Sequence, residues 1–249
     1  MTLATQPQRA MRRIGATTPA LLLRASHPRQ AVLTTLVLTA AASLSGRPGR
    51  EVALVAVTVL IGQVVLGWQN DFVDAEADQR HSRVKATVDG LSPTTLSFSL
   101  SVAVLALIPI AVNNGLMAGA CYLVSVVVAA LGNLRLRLVR QGPLSWLPWA
   151  ISFGLYPAFL SYGGWGGRAT GEAPTLTLTV LAALLGVGVH VLTSLWGLVA
   201  DDADGWTYLP LRLARRTGAT MLLTGTIAYL GLVGAILAIV ARQTGLSGS

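Results

Sequence analysis

The chain has 249 residues, of which 53% are hydrophobic and 11% charged, and its mean hydropathy is +0.64. A soluble domain carries about 25% charged residues, so the composition excludes a water-soluble globular enzyme and points to an integral membrane protein. The net charge of +8 comes from arginines spread over the segments between apolar runs, a distribution that fits topology signals and contact with anionic lipid rather than a nucleic-acid surface.

Residues 1–30 form a basic, polar-biased lead, too long for the first region of a signal peptide. Within it, ALLLRASHPRQ reads as a short interfacial helix. Beyond it, no Asp, Glu, Lys or Arg occurs in 30–46, 52–70, 90–134, 141–167, 173–200 or 217–241. A bilayer crossing needs about 20 apolar residues, and 90–134 accommodates two crossings with Asn113, Asn114 and Gly115 as the turn. The predicted helices are therefore seven, near 31–46, 52–70, 94–112, 116–133, 144–162, 175–200 and 218–241, the first short and uncleaved. The fold class is an all-α polytopic transmembrane bundle over 31–241, with a short extracytoplasmic tail at 242–249.

The 18 basic residues, one lysine and the rest arginine, orient the bundle. With a cytoplasmic N-terminus, all but Arg47, Arg50, Arg168 and Arg242 fall in cytoplasmic segments, a clear positive-inside asymmetry. The expected location is a bacterial cell membrane, with the N-terminus and the site on the cytoplasmic side. Cys121 is the only cysteine, which excludes an intrachain disulfide and a cysteine-cluster metal site.

The ten acidic residues are distributed unevenly. Seven of them lie in two groups: Asp71, Asp74, Glu76 and Asp78 at the end of the second predicted helix, and Asp201, Asp202 and Asp204 at the end of the sixth. If the second helix continues past Trp68, then Asn70, Asp74 and Asp78 share a face at i, i+4 and i+8, with Asp71 beside Asp74, while Glu76 points away. Like charges stacked on one helix destabilise it, so a cation should compensate. Hard divalent ions take carboxylate and carbonyl oxygens, and Mg²⁺ commonly keeps one or two carboxylates plus substrate phosphates. Arg80, Arg83 and Lys85, just downstream, suit phosphate oxygens directly. DAEAD lacks the glycine and distant glutamate of an EF-hand. Two acidic surfaces on one side of a bundle could flank a polyanion through metal bridges, in the manner that activates a diphosphate leaving group. His190 shares the face of Ser194, Gly197 and Asp201 on the sixth predicted helix. An ionisable residue inside a span marks either a functional position or a hydrogen bond to a neighbouring helix, and both readings stay open. Tyr122, Asn133, Trp146, Trp149 and Trp165 read as packing or interfacial-belt residues.

NDFVDAEAD resembles the N-D-x-x-D-x-x-x-D signature of the UbiA superfamily of intramembrane prenyltransferases, with Asn70, Asp71, Asp74 and Asp78 in place. DADGWTYLPLRLA is similar to the second motif of that family, LLRASHPRQA to the lead into its first helix, and RQGPLSWLPWAISFGLYPAFLSYGG to the start of its fifth. The likeness covers roughly 21–217. It implies a Mg²⁺-dependent transfer of a prenyl group from a prenyl diphosphate to a lipophilic, usually aromatic, acceptor in the bilayer, at a cytoplasm-facing central cavity. Asn70, Asp71, Asp74, Asp78 and Asp201 are then the metal set, joined by Asp202 and Asp204, with Asp71, Asp74, Asp78 and Asp201 catalytic. Lys85 and Arg140 become diphosphate contacts, Arg140 sharing its role with Arg135 and Arg137; His190 joins Asn70, Arg80 and Arg83 on the substrate side. Three features depart from the pattern. The first Asp of the usual D-x-x-x-D falls on Gly197, the D-K-P step reads Val84-Lys85-Ala86, and seven helices stand where the family generally has nine. A shorter bundle implies a more open cavity or a homo-oligomer. Two alternatives stay open beside transfer: a terpene cyclase of the same superfamily, and a non-catalytic binding or transporter-like bundle.

Overall fold

The computed structural model describes residues 17–80, 85–164 and 171–244, without the side chains of Arg80 and Thr244. Among the described residues it is all-helical, 77% helix without strands, and five helices are long and apolar enough to cross a membrane. The protein is thus an integral membrane protein built as an all-α polytopic bundle.

The lead contributes α1 (Thr18–Ala25) and the first long helix is α2 (Pro28–Leu44). Between them His27 is held at φ 51°, ψ 59°, the left-handed region where a non-glycine residue is uncommon. Pro28 explains the break, because it supplies no N–H and disfavours helical backbone in the residue before it. Then α3 (Gly49–Arg80) runs 32 residues without interruption. It ends about ten residues beyond the expected boundary, so the whole acidic motif lies on a continuous helix. Ser92 caps α4 (Pro93–Val112) by accepting from the Thr95 N–H at 3.1 Å. Gly115, at φ 112°, turns the chain into α5 (Leu116–Asn133).

Two expected helices are broken. The segment expected at 144–162 is α6 (Leu147–Gly154) followed by α7 (Tyr156–Ser161), because Pro157 cannot supply the N–H that would continue one helix through Tyr156. The segment expected at 175–200 ends as α8 (Leu176–Ser194), and α9 (Leu198–Ala203) resumes after a turn. His190 and Asp201 therefore do not share a continuous helical face. The amphipathic α10 (Leu209–Thr217) leads through Gly218, at φ 82°, into α11 (Ala219–Thr244).

Helices near in sequence pack together, and several skip a neighbour: α2 packs on α3, α3 on α4 and α5, α5 on α6 and α7, α6 on α8, and α8 on α11. The main core lies among α2, α3, α4, α5 and α7, around Tyr122, Phe159, Leu107, Val55 and Val59. Arg47, in the α2–α3 turn, donates to the Leu160 carbonyl near the end of α7, tying the ends of the first and middle parts of the bundle together. The last helix is peripheral: its apolar window is only 11% buried, against 39% for α3.

Candidate functional site

Residues 67–74 of α3 gather the surrounding segments. Gly67 lies so close to the α1–α2 junction that a Cβ there would meet the Ser26 carbonyl carbon and oxygen at 2.7 Å. Trp68 Nε1 donates to the Leu22 carbonyl of α1 at 2.8 Å. Gln69 donates to the Ala130 carbonyl and accepts from Asn133 Nδ2, anchoring the end of α5. These contacts hold the lead, the α1–α2 junction and the end of α5 against the acidic face.

The face itself separates as the helical spacing requires. Asp71, Asp74 and Asp78 are 1%, 4% and 0% exposed, while Glu76 is exposed. Buried carboxylates need charged partners, and Asp71 and Asp74 find them on other segments. Asp71 Oδ1 accepts from Lys85 Nζ at 2.7 Å and lies 2.9 Å from His27 Nε2, with Lys85 and His27 themselves 3.3 Å apart. Asp74 takes both nitrogens of the Arg140 fork, at 2.9 and 2.6 Å, and Arg135 Nε at 3.1 Å. Arg140 also reaches Asn70 Oδ1 at 3.4 Å and donates to the Asn133 carbonyl at 2.7 Å. Arg137 is exposed, so of the three arginines in this loop, Arg135 and Arg140 meet the motif. Arg83 lies outside the described residues, as does the side chain of Arg80.

A cavity of about 230 Å³ opens between Arg24, His27, Asp71, Lys85 and Ala86. Arg24 at its rim pairs with Asp89 at 2.7 Å. Neither Arg24 nor His27 stands out as a site residue in the sequence. The available signal is weak: a histidine before proline, in a chain with three histidines. Its role depends on the left-handed turn that aims it back at α3.

The second acidic group is built differently. Only Asp201 is turned toward the interior, its Oδ2 accepting from Tyr208 O–H at 2.7 Å. Asp202 is half-exposed and pairs with Arg215, and Asp204 is an exposed residue at the C-terminus of α9. The Gly197 position sits beside Asp201, where a Cβ would come within 2.9 Å of Asp201 Oδ2. The link to the first group runs through an aromatic side chain: Trp206 lies under both guanidinium groups, 6.0 Å from Arg135 and 5.7 Å from Arg140, within cation–π range. Thr207 N–H donates to the Gln141 carbonyl at 2.9 Å and fixes the same loop pair. His190 is buried, with Nε2 3.1 Å from Ser145 Oγ and its ring near Trp149 and Tyr208. The hydrogen bond to a neighbouring segment is the reading its geometry favours.

Among the described residues, no three His, Cys, Asp or Glu side chains converge closely enough to hold a metal ion. The donor chemistry nevertheless suits a hard cation: Asn70, Asp71, Asp74 and Asp78 offer only oxygens from one helical face, as Mg²⁺ prefers. Cationic groups of the protein already stand at those oxygens, Lys85 on Asp71 and the Arg140 fork on Asp74 and Asn70. A metal would have to displace these side chains to reach the oxygens. No family model, curated protein or solved structure matches the chain, so the likeness described above rests on its motif residues.

Proposed function

We propose that the protein is a Mg²⁺-dependent prenyltransferase that moves a prenyl group from a prenyl diphosphate to a lipophilic, aromatic acceptor within a bacterial cell membrane. The observation that supports this is the buried carboxylate row of α3, held against bases from three other segments: His27 before α2, Lys85 after α3, and Arg135 with Arg140 after α5. A row of acids facing a row of bases suits a metal–diphosphate headgroup, the acids toward the metal and the bases toward phosphate oxygens. An apolar bundle beside it suits the prenyl chain.

In this reading Asn70, Asp71, Asp74 and Asp78 would hold Mg²⁺, with Asp201 the residue of the second group nearest the same role; Asp202 and Asp204 face outward. When bound, the metal neutralises the charge of the departing diphosphate. Lys85 and Arg140 hold phosphate oxygens, and Trp206 keeps Arg140 and Arg135 in line. The allylic C–O bond breaks with its electron pair on the diphosphate, the prenyl cation forms a bond to the acceptor, and the acceptor loses a proton. Exclusion of water by the bundle protects the cation from hydrolysis.

Purified protein in nanodiscs, given Mg²⁺ and labelled prenyl diphosphates of several lengths with and without a phenolic acceptor, tests the reading. Acceptor-dependent diphosphate release supports transfer. Release with a cyclic product and no acceptor replaces transfer by cyclisation, and no release above a protein-free control rejects both. The proposal also sets the mouth toward the cytoplasm, where 14 of 18 basic residues are expected. Cysteines at the exposed positions Gln79 and Thr207, in a Cys121→Ser background, should react with an impermeant thiol reagent only after the membrane is opened. Labelling of both in intact cells would reverse the orientation.

A further inference from the structure

Two of the three buried aspartates of this site meet bases of the protein without any ligand. Asp71, Asp74 and Asp78 are buried, and Lys85, Arg135 and Arg140 stand against the first two of them at salt-bridge distance. The bases are themselves mostly sheltered: Lys85, Arg135 and Arg140 side chains are 24%, 29% and 19% exposed. Arg140 is further fixed by the Asn133 carbonyl and by Trp206, and Lys85 by its contact with His27.

A divalent ion arriving alone would have to expel Lys85 or Arg140 from a carboxylate. It would leave that base sheltered from water and without a counter-ion, which is costly. A diphosphate arriving alone would bring its negative charge against three buried carboxylates, which is costly for the same reason. Arriving together, the two ligands remove both penalties. The metal takes the oxygens of Asp71 and Asp74, and the released Lys85 and Arg140 turn to phosphate oxygens, so every charge keeps a partner.

We infer that Lys85 and Arg140 act as internal counter-ions that make metal binding and diphosphate binding depend on each other. The site takes either ligand alone only weakly and opens by an exchange of partners. This rests on the diphosphate reading given above and adds to it a rule about order and selectivity. A metal without substrate, or an organic phosphate lacking metal, holds the site only weakly. Linkage makes the effect reciprocal, so each ligand improves the other's affinity by one common factor.

The test uses the full chain in detergent micelles, with Mn²⁺ as a paramagnetic replacement for Mg²⁺ and radiolabelled inorganic pyrophosphate as the anion. Free Mn²⁺ is read by electron paramagnetic resonance, corrected for the Mn²⁺–pyrophosphate complex measured without protein. In the unaltered chain Mn²⁺ alone should bind weakly and tighten about tenfold or more with pyrophosphate, and pyrophosphate should tighten by the same factor with Mn²⁺. Lys85→Gln and Arg140→Gln should then move the two affinities in opposite directions: Mn²⁺ alone binds about tenfold more tightly, because its competitor is gone, while pyrophosphate binds more weakly. Ion pairs that serve only stability would lower both. Mn²⁺ affinity indifferent to pyrophosphate in the unaltered chain, with pyrophosphate still bound, would overturn the coupling and leave the diphosphate reading intact. Pyrophosphate that fails to bind with Mn²⁺ at any concentration would remove the reading and the coupling together. The unaltered chain decides the matter even if a variant does not fold.

Discussion

The two acidic groups contain similar residues at the ends of long apolar helices, yet the first is a buried charge network and the second lies mostly at the surface. In the first, α3 continues for nearly three turns beyond its apolar stretch and buries three aspartates, two of them against bases from other segments. In the second, α8 stops at Ser194, the chain turns, and the short α9 leaves Asp202 and Asp204 at the surface with only Asp201 turned inward. The contrast shows that a carboxylate becomes part of a site through what surrounds it. A continuous helix holds its acids at fixed spacing against packed neighbours, whereas a broken one lets them turn to water, where an ion pair contributes little.

The largest effect should come from Asp74→Ala. It leaves Arg135 and Arg140 facing each other without their shared carboxylate, and costs about 3 kcal/mol, the low end for a broken buried pair because the arginines keep some contact with water. Thermal unfolding in detergent should show the loss, and prenyl-diphosphate turnover should vanish. An Asp74→Ala protein that kept its melting temperature and its turnover would remove the first group from any functional account.

Gly67→Ala should come next. Its methyl group would meet the Ser26 backbone at 2.7 Å, so the α1–α2 junction has to shift, at about 1–3 kcal/mol for overpacking. His27 should then lose its position at Asp71. Diphosphate binding should weaken by more than the change in melting temperature alone explains. Unchanged binding in a folded variant would mean that the lead is not part of the site.

In the second group, Tyr208→Phe deletes one hydrogen bond to Asp201, about 1 kcal/mol, and should lower turnover less than tenfold. A loss as complete as that of Asp74→Ala would make Asp201 an equal partner of the first group. Asp202→Ala removes a half-exposed pair with Arg215 and should change stability by less than about 0.5 kcal/mol, with turnover preserved. Glu76→Ala, exposed on the far side of α3, should be equally mild. Strong losses in either would contradict the separation of buried from solvated acids.

Much of this architecture was legible in composition and spacing. Charge-free runs mark the membrane-crossing helices because a bilayer leaves no alternative for a buried backbone but internal hydrogen bonds. The i, i+4, i+8 spacing of Asn70, Asp74 and Asp78 already separates them from Glu76, because a helix has only one period. The breaks at Tyr156–Pro157 and after Ser194 were not legible from hydropathy, which is blind to backbone geometry inside an apolar run. Beyond the second break, Asp202 and Asp204 face outward. Nor could spacing identify the partners of the acids. His27 reaches Asp71 across 44 residues, and Arg140 reaches Asp74 across 66. Such pairs are set by how helices pack, through contacts such as Gly67 on Ser26 and Trp206 under Arg140. The sequence by itself determined the membrane character, the all-helical class and the acidic face, since these follow from local periodicity and solvation. Which bases neutralise that face, and that the second group mostly does not join it, only the tertiary structure decided, because long-range ion pairs depend on a packing no local pattern records.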